Sequence, residues 1–215
     1  TAIISSIHRF ALDDGPGIRT TVFFKGCPLS CVWCHNPENI ALQPQIRFSP
    51  KLCIDCGACA SVCPVGADSP FRPPASSPNC RGCGACAAAC PSAALTVVGR
   101  TYTVDSLVEV LLRDTPLYCS SGGGVTFSGG EPGISTAMQT AGAVSHERFA
   151  RHLAGLLDIV YFDLKLFDPE EHRAYTGIDN RHILSTFTEL AHDPRFTLIA
   201  TIPLIPEITA TNHNL

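Results

Sequence analysis

Eleven of the twelve cysteines fall into three tight groups, and this spacing is typical of metal ligation. The first group is Cys27-x3-Cys31-x2-Cys34, and the pattern Cys-x2-Cys-x2-Cys-x3-Cys-Pro then occurs at both 53–64 and 80–91. Cysteines two or three residues apart rarely form disulfides with each other, but their thiolates readily surround one metal centre. The spacing therefore favours metal binding in a reducing compartment over the disulfide framework of a secreted protein.

The two longer groups carry the bacterial ferredoxin signature, in which the fourth cysteine of each repeat ligates the other cluster. This rule predicts that two [4Fe–4S] clusters are bound, one by Cys53, Cys56, Cys59 and Cys90, the other by Cys63, Cys80, Cys83 and Cys86. A pair of zinc sites is the alternative interpretation. The clusters would either relay electrons or only stabilise this segment. Cys119 lies outside the groups and is predicted to be a small, buried apolar side chain.

The first group offers only three thiolates, from a loop that directly follows an apolar run. A cubane [4Fe–4S] cluster has four iron corners, so three protein ligands leave one iron open, as catalytic metal sites do. Cys27, Cys31 and Cys34 are therefore predicted to hold a reactive cluster, with a zinc site as the alternative.

Strand and helix patterns alternate around these groups. Strands are predicted at 20–26, 125–128, 135–140 and 158–164, helices at 103–112, 146–157 and 183–192, and a further apolar run at 196–205. This alternation indicates a parallel α/β sheet or barrel. Residues 50–98 are rich in Cys, Ala and Pro and contain the repeat, so we predict a first part at 1–49, an insert at 50–98 and a remainder at 99–215.

One connection is too short for that topology. Only Pro132, Gly133 and Ile134 separate two predicted strands, whereas a crossover between parallel strands needs about ten residues or more. Either the two strands are not parallel neighbours, or residues are absent, and then the Cα atoms of Pro132 and Gly133 would lie beyond about 3.8 Å. We favour absence, and the end at Leu215 also suggests an incomplete barrel.

Composition narrows the class of protein. Apolar residues make up 45% of the chain and charged residues 16%, which suits a packed core, and the formal charge is −4. No basic run is longer than a pair, which argues against nucleic acid as a partner. No apolar stretch is long enough to span a membrane, and the first residues lack the apolar core of a signal peptide. We therefore expect a cytoplasmic protein.

Residues 27–38 (CPLSCVWCHNPE) and 13–19 (DDGPGIR) resemble the glycyl-radical-enzyme activating branch of the radical S-adenosylmethionine (SAM) family. The resemblance resumes at 121–132, 161–172, 175–177 and 202–206, and so covers nearly the whole chain. It implies an α/β fold, a partial parallel (β/α) radical SAM barrel with a ferredoxin-like insert. It also implies reductive cleavage of SAM to methionine and a 5′-deoxyadenosyl radical, which removes hydrogen from a backbone glycine of a partner glycyl radical enzyme. A flavodoxin or ferredoxin would supply the electron.

The resemblance also assigns roles, position by position. Cys27, Cys31 and Cys34 would hold the SAM-binding cluster, and Trp33 matches an aromatic side chain near the adenine. The segment that receives the SAM amino group is matched by Ser128, Gly129, Gly130 and Glu131. Asp163 and Lys165 match a catalytic Asp-Leu-Lys at a strand end, for which an ordinary ion pair is the alternative.

Two positions depart from the family pattern. Gln139 stands where many relatives carry an acidic residue near the SAM carboxylate and a bound monovalent cation, and Thr201 stands where many carry an arginine directed at SAM. Each replacement removes a charge from the predicted site. The implied cofactors are three [4Fe–4S] clusters and SAM, with a monovalent cation at the site that Gln139 alters.

Two other classes of protein remain as alternatives. A radical SAM enzyme acting on a small molecule or a different protein would need the same three cysteines. A ferredoxin-like electron carrier would use eight cysteines and leave Cys27, Cys31 and Cys34 without a role.

Overall fold

One seven-stranded sheet organises the described residues, which are 1–66, 79–128 and 136–214 of this computed structural model. In chain order its strands are β1 (Ala2–Ala11), β2 (Arg19–Phe24), β5 (Arg100–Tyr102), β6 (Gly124–Ser128), β7 (Thr136–Thr140), β8 (Ile159–Asp163) and β9 (Thr197–Thr201). Their spatial order is β5-β1-β2-β6-β7-β8-β9. The five strands β2, β6, β7, β8 and β9 run parallel to one another. Strand β1 pairs antiparallel with both β2 and β5. The fold is therefore mixed α/β with a mostly parallel sheet.

Seven α-helices lie in the described part of the chain, two of them in the repeat segment. They are α1 (Ala58–Ser61), α2 (Ala85–Ala88), α3 (Val104–Leu112), α4 (Thr115–Ser121), α5 (His146–Leu153), α6 (Pro169–Thr176) and α7 (Arg181–Ala191). The helices predicted at 103–112 and 183–192 are confirmed within two residues, while α5 ends four residues earlier than predicted. Within the described residues, every helix is too short or too polar to span a bilayer.

A second, two-stranded sheet encloses the ferredoxin-like repeats. Strand β3 (Gln45–Phe48) enters the repeat segment and pairs antiparallel with β4 (Leu95–Val98), which leaves it. The short helices α1 and α2 each begin after a glycine with positive φ, Gly57 and Gly84, so the two repeats have the same local shape. This duplication is what the sequence repeat predicts.

The main sheet has one apolar face and one polar face, because successive side chains of a strand point to opposite sides. Val22, Phe127 and Phe162 share the face that packs against the helices, and each is fully buried. The opposite face carries polar side chains at the carboxyl ends of the parallel strands, namely Ser128, Gln139, Asp163 and Thr201. A polar face at this edge is where a parallel sheet binds ligands.

The helix-covered face contains two separate groups of buried side chains. The first joins β1, β2 and β6 to α3 and α4, and includes Ile4, Leu107 and Leu111. The second joins β8 to α5 and α7, and includes Phe149 and Leu190. Burial of such apolar side chains stabilises the fold by about 25 cal/mol per Å² of apolar surface removed from water.

Strands β6 and β7 are parallel neighbours, with Phe127 opposite Met138. The possibility that these two strands are not parallel neighbours is therefore wrong. The predicted chain break between Pro132 and Gly133 lies outside the described residues.

Candidate functional site

The three-cysteine loop, residues 27–34, begins where β2 ends at the ligand-binding edge of the sheet. Gly26 has a φ of 99°, a conformation that glycine adopts without strain, and it turns the chain out of the strand. The amides of Gly26 and Cys27 both donate to the carbonyl of Asn39, at 2.7 and 2.9 Å. Leu29, which is only 2% exposed, anchors the loop in the protein. The start of the loop is thus fixed on two sides.

The middle of the three-cysteine loop is held by the end of α6. The amide of Ser30 donates to the carbonyl of Thr176 at 2.8 Å, and the amide of Val32 donates to the carbonyl of Tyr175 at 3.1 Å. The amide of Cys34 donates to the carbonyl of Cys31 at 3.0 Å, which closes a turn between two cysteines. Sequence reasoning missed this contact, because α6 lies about 140 residues further along the chain.

Asp163 collects three side chains at the carboxyl ends of β7, β8 and β9. Gln139 Nε2 donates to Asp163 Oδ1 at 3.3 Å, and the hydroxyl of Thr201 donates to the same oxygen. Lys165 Nζ donates to Asp163 Oδ2 at 3.2 Å, and the two charged side chains are only 13% and 20% exposed. The four residues singled out from the sequence on these strands are therefore brought together.

This polar group adjoins the three-cysteine loop. Burial raises the pKa of the Cys31 thiol, whereas the nearby Lys165 ammonium lowers the pKa and the Cys27 and Cys34 sulfurs raise it. The ring of Trp33 lies 6.0 Å from that of Tyr175, measured between centroids. Ser128 ends β6 between Phe23 of β2 and Gln139 of β7. Gly129, Gly130 and Glu131 lie outside the described residues.

The repeats form two concave sites, and each combines cysteines from both repeats. One site is lined by Cys53, Cys56, Cys59 and Cys90. The other is lined by Cys63, Cys80, Cys83 and Cys86. These are the two sets of four that the ferredoxin rule groups together, although which atoms ligate stays a prediction.

Thiolate chemistry and spacing in these sites suit an iron–sulfur cluster. Each of the twelve cysteines lies in a described part of the chain and is a free thiol. Within residues 1–66, 79–128 and 136–214, no three His, Cys, Asp or Glu side chains stand close enough to bind a single metal ion. A cubane is wider than one ion, so its four thiolates stand further apart, around a cavity rather than a point.

One cysteine is placed differently from its prediction. Cys119 lies on α4 and is exposed, so the prediction of a buried apolar side chain is wrong. The seven-residue α4 was not predicted, and the side chain at 119 falls on its solvent face.

Arg19 organises the opposite, amino-terminal edge of the sheet. It is completely buried, its Nε donates to Thr126 Oγ1 at 2.7 Å, and its terminal nitrogens donate to the carbonyls of Val125 and Pro16. These bonds join the DDGPGIR segment at 13–19 to β6, at the other end of the strands from the three-cysteine loop. Within the described contacts, Arg19 supports the sheet.

Comparison with known proteins agrees with this site. Residues 46–68 and 77–102 each match a 4Fe-4S binding domain family. The chain is 39% identical to the choline trimethylamine-lyase activating enzyme of Oleidesulfovibrio alaskensis, over 100% of this chain and 76% of that protein. It is 38% identical to the benzylsuccinate synthase activating enzyme of Thauera aromatica, over 87% of this chain and 64% of that protein.

A third relative is the trans-4-hydroxy-L-proline dehydratase activating enzyme of Clostridioides difficile, at 36% identity over 99% of this chain and 76% of that protein. The similarity thus extends through the three-cysteine loop, the repeats and the polar strand ends alike. The chain belongs to the family of glycyl-radical-enzyme activating enzymes, which are iron–sulfur, radical SAM oxidoreductases.

Proposed function

We propose that this chain installs a radical on a backbone glycine of a partner glycyl radical enzyme, using SAM at the three-cysteine loop. When bound, a [4Fe–4S] cluster supplies the single electron that divides SAM into methionine and a 5′-deoxyadenosyl radical. Cys27, Cys31 and Cys34 would hold this cluster and leave one iron open. The partner's glycine Cα then gives a hydrogen atom to the 5′ carbon, which leaves the unpaired electron on the glycine.

The placement of the three-cysteine loop and the Asp163 group at the same carboxyl edge of the parallel sheet carries this proposal. Lys165 acts electrostatically on Cys31, and Asp163 holds Lys165 in place at the ends of the strands. A SAM molecule bound beside Cys31 would therefore lie over the polar face, with Lys165 available to its carboxylate. Trp33, supported by Tyr175, would line the adenine side, and Ser128 with residues 129–131 would receive the amino group.

The strand order is consistent with a partial radical SAM barrel built from 1–49 and 99–215, with the insert at 50–98. In the insert, the two sites would hold one [4Fe–4S] cluster each, which gives three clusters in all. We propose that the insert clusters relay an electron from a flavodoxin or ferredoxin, since both sites lie near the protein surface, where Cys56 and Cys83 are exposed. Oxygen-labile clusters and an external reductant suit a reducing cytoplasm.

Exposed apolar side chains follow the same strand ends. Val32 lies in the three-cysteine loop, Phe167 follows β8, and Leu204 follows β9, and these three side chains are 67%, 67% and 66% exposed. Where such side chains form one contiguous patch, the patch is typical of a protein interaction site. We propose that the partner enzyme docks over this edge, so that its glycine loop reaches the polar face.

The test incubates the reconstituted chain with SAM, a reductant and a panel of glycyl radical enzymes, and records EPR spectra. The expected result is a glycyl doublet on one partner together with stoichiometric 5′-deoxyadenosine. Cleavage of SAM without a radical on any partner would favour a small-molecule radical SAM enzyme. Absence of cleavage, with all clusters reducible, would favour an electron carrier.

A further inference from the structure

The last turn of α6 binds the two backbone amides that flank Cys31. Ser30 and Val32 donate to the carbonyls of Thr176 and Tyr175, at 2.8 and 3.1 Å. These carbonyls belong to the last turn of a helix, where they have no partner within the helix and can accept from elsewhere. We infer that this turn, residues 172–177, is the platform that holds the three-cysteine loop in its ligating shape, with His172, Thr176 and Gly177 as positioning residues.

The platform is rigid because its own polar groups are satisfied inside the protein. His172 is 1% exposed, and its Nδ1 lies 2.7 Å from the carbonyl of Ile178. Since a carbonyl only accepts, Nδ1 carries the hydrogen. The hydroxyl of Thr176, a residue with no exposed surface, donates to the carbonyl of His172 at 2.7 Å. The first bond ties the last helical turn to the residue that follows it, and the second braces the turn itself. Together they fix where the carbonyls of Tyr175 and Thr176 point.

Gly177 lets the loop approach the platform closely. It caps α6 with a φ of 90°, and a Cβ built on it would lie 2.6 Å from Ser30 Oγ. Ser30 Oγ also donates to the carbonyl of Thr176 at 3.3 Å. An alanine Cβ at 177 would therefore force the Ser30 hydroxyl to rotate away, which removes its bond to the Thr176 carbonyl and weakens the attachment of the loop beside Cys31. Only glycine satisfies both the backbone conformation and the contact.

The consequence concerns the three-cysteine loop alone. The platform contacts Ser30, Val32 and Trp33 of the three-cysteine loop. The insert cysteines instead line their own two cavities. A substitution that distorts the platform should therefore displace Cys31 and leave the structure of the insert unchanged. This inference rests on the proposed function for its meaning, since it explains how α6 serves the SAM-binding cluster, but it can be tested without SAM.

The first test compares Gly177→Ala with Gly155→Ala. Gly155 also has a positive φ, of 80°, and a Cβ there would meet nothing within 4 Å, so both variants carry the same backbone cost but only one contacts the loop. Hydrogen–deuterium exchange of peptides covering 28–34 should become about tenfold faster in Gly177→Ala only. Equal exchange in that segment for both variants would overturn the inference.

The second test uses two buried threonines. Thr176→Val and Thr186→Val each remove one buried hydroxyl that bonds a carbonyl, and Thr186 on α7 bonds Val144, away from the loop. After reconstitution, Thr176→Val should lose about four irons per chain while Thr186→Val loses none, and Thr176→Ser should restore them. An equal iron content per chain in Thr176→Val and Thr186→Val would overturn the inference. A wild-type chain that fills all sites but does not cleave SAM would instead contradict the proposed function.

Discussion

Asp163 accepts hydrogen bonds from Gln139, Thr201 and Lys165, so it is the residue on which the polar strand ends depend. Asp163→Asn removes the charge that pairs with the half-buried Lys165 ammonium, which then lacks its partner beside the cluster. We expect SAM cleavage to fall by about 100-fold or more, because a positioned charge at a reacting centre contributes on that order. The iron content should not change.

The matched control for Asp163→Asn is Asp105→Asn, which removes an exposed carboxylate from the first turn of α3. SAM cleavage is measured as 5′-deoxyadenosine released per chain. If both variants cleaved SAM at the wild-type rate, Asp163 and Lys165 would be the ordinary strand-end ion pair that is the alternative interpretation.

Gln139 decides whether this chain needs a bound cation. Its amide donates to Asp163, so no second negative charge faces that carboxylate from β7. Gln139→Asp would set two carboxylates side by side, and such a pair is stable only with a proton or a cation between them. We expect SAM cleavage by the wild-type chain to be insensitive to potassium or sodium, and cleavage by Gln139→Asp to depend on one of them.

The control for this change is Gln139→Asn, which keeps the amide and shortens the side chain. It should show no dependence on cations. Strong activation of the wild-type chain by a monovalent cation would contradict the expectation and restore the cation site implied by the family resemblance.

The sequence singles out these residues but does not show how they meet. Asp163, Lys165, Gln139 and Thr201 were each identified from their local segments, and the strand ends place all four within one group. That Gln139 and Thr201 both turn to Asp163 was not predictable, because it depends on the register of β7, β8 and β9. Register is set by pairing across the sheet, which no local pattern records.

At the level of elements, the turn between α3 and α4 ties two strands to the helices. Asp114 is 1% exposed and accepts from Arg9 Nε of β1 and from Thr20 Oγ1 of β2, both at 2.8 Å. Asp114→Asn would keep the shape but turn an amide donor toward the Arg9 guanidinium. We expect a loss of about 1–3 kcal/mol in the free energy of unfolding, measured by urea denaturation.

The pH dependence of this effect has a defined sign. Hydrogen bonds from Arg9 hold the pKa of Asp114 below its usual range. A lowered folded-state pKa stabilises the protein above the unfolded-state pKa of about 3.9, and this contribution is lost as the pH falls through the folded-state pKa. The difference in the free energy of unfolding between the wild type and Asp114→Asn should therefore be constant near neutral pH and shrink below about pH 4.

Glu109→Gln is the control for Asp114→Asn. It breaks an exposed pair with Arg113, whose side chain and that of Glu109 are 63% and 74% exposed, and such pairs contribute little. Similar losses from the two variants would show that burial of Asp114 does not matter.

Elements with strong local signals were predicted, and elements that depend on distant partners were missed. Strand β2 and helix α3, with its Thr103–Ser106 capping box, lie where the sequence indicates. Strand β1 is antiparallel at one side of a parallel sheet, and its pattern does not alternate cleanly. Helix α6 was missed although Asp168 and Pro169 give an ordinary start signal, which the structure confirms through the Asp168 cap.

At the level of the whole molecule, each of the two concave sites of the insert is lined by cysteines from both repeats. If Cys63 shares a cluster with Cys80, the double variant Cys63→Ser/Cys80→Ser loses about four irons per chain, because only one cluster is affected. Cys53→Ser/Cys63→Ser should lose about eight, because two clusters each lose a ligand. The opposite pattern would show that each repeat binds its own cluster. Cys119→Ser, which changes an exposed free thiol, should lose none.

The connection between β6 and β7 is unusually short for the parallel topology of the sheet. Residues 129–135 are all that joins two parallel neighbours, although such a crossover needs about ten to twelve residues or more. The alignment with the choline trimethylamine-lyase activating enzyme extends over 236 positions, more than the 215 residues of this chain. We therefore propose that relatives carry additional residues within the span they share with this chain, and that the crossover between β6 and β7 is where they lie.

The two groups of buried side chains, one on β6 and one on β8, share no member, and a crossover helix would lie between them. Replacing 129–135 with the longer segment of the Oleidesulfovibrio alaskensis relative should raise the melting temperature by about 4–8 °C, since about 2 kcal/mol of apolar burial has that effect in a chain of this size. A glycine–serine segment of equal length removes the length constraint without adding an apolar face, so it should raise the melting temperature less. A helix that fits this crossover must pack against both groups of buried side chains. If the relative's segment left the melting temperature unchanged or lowered it, the additional residues of the relatives would therefore lie elsewhere in the chain.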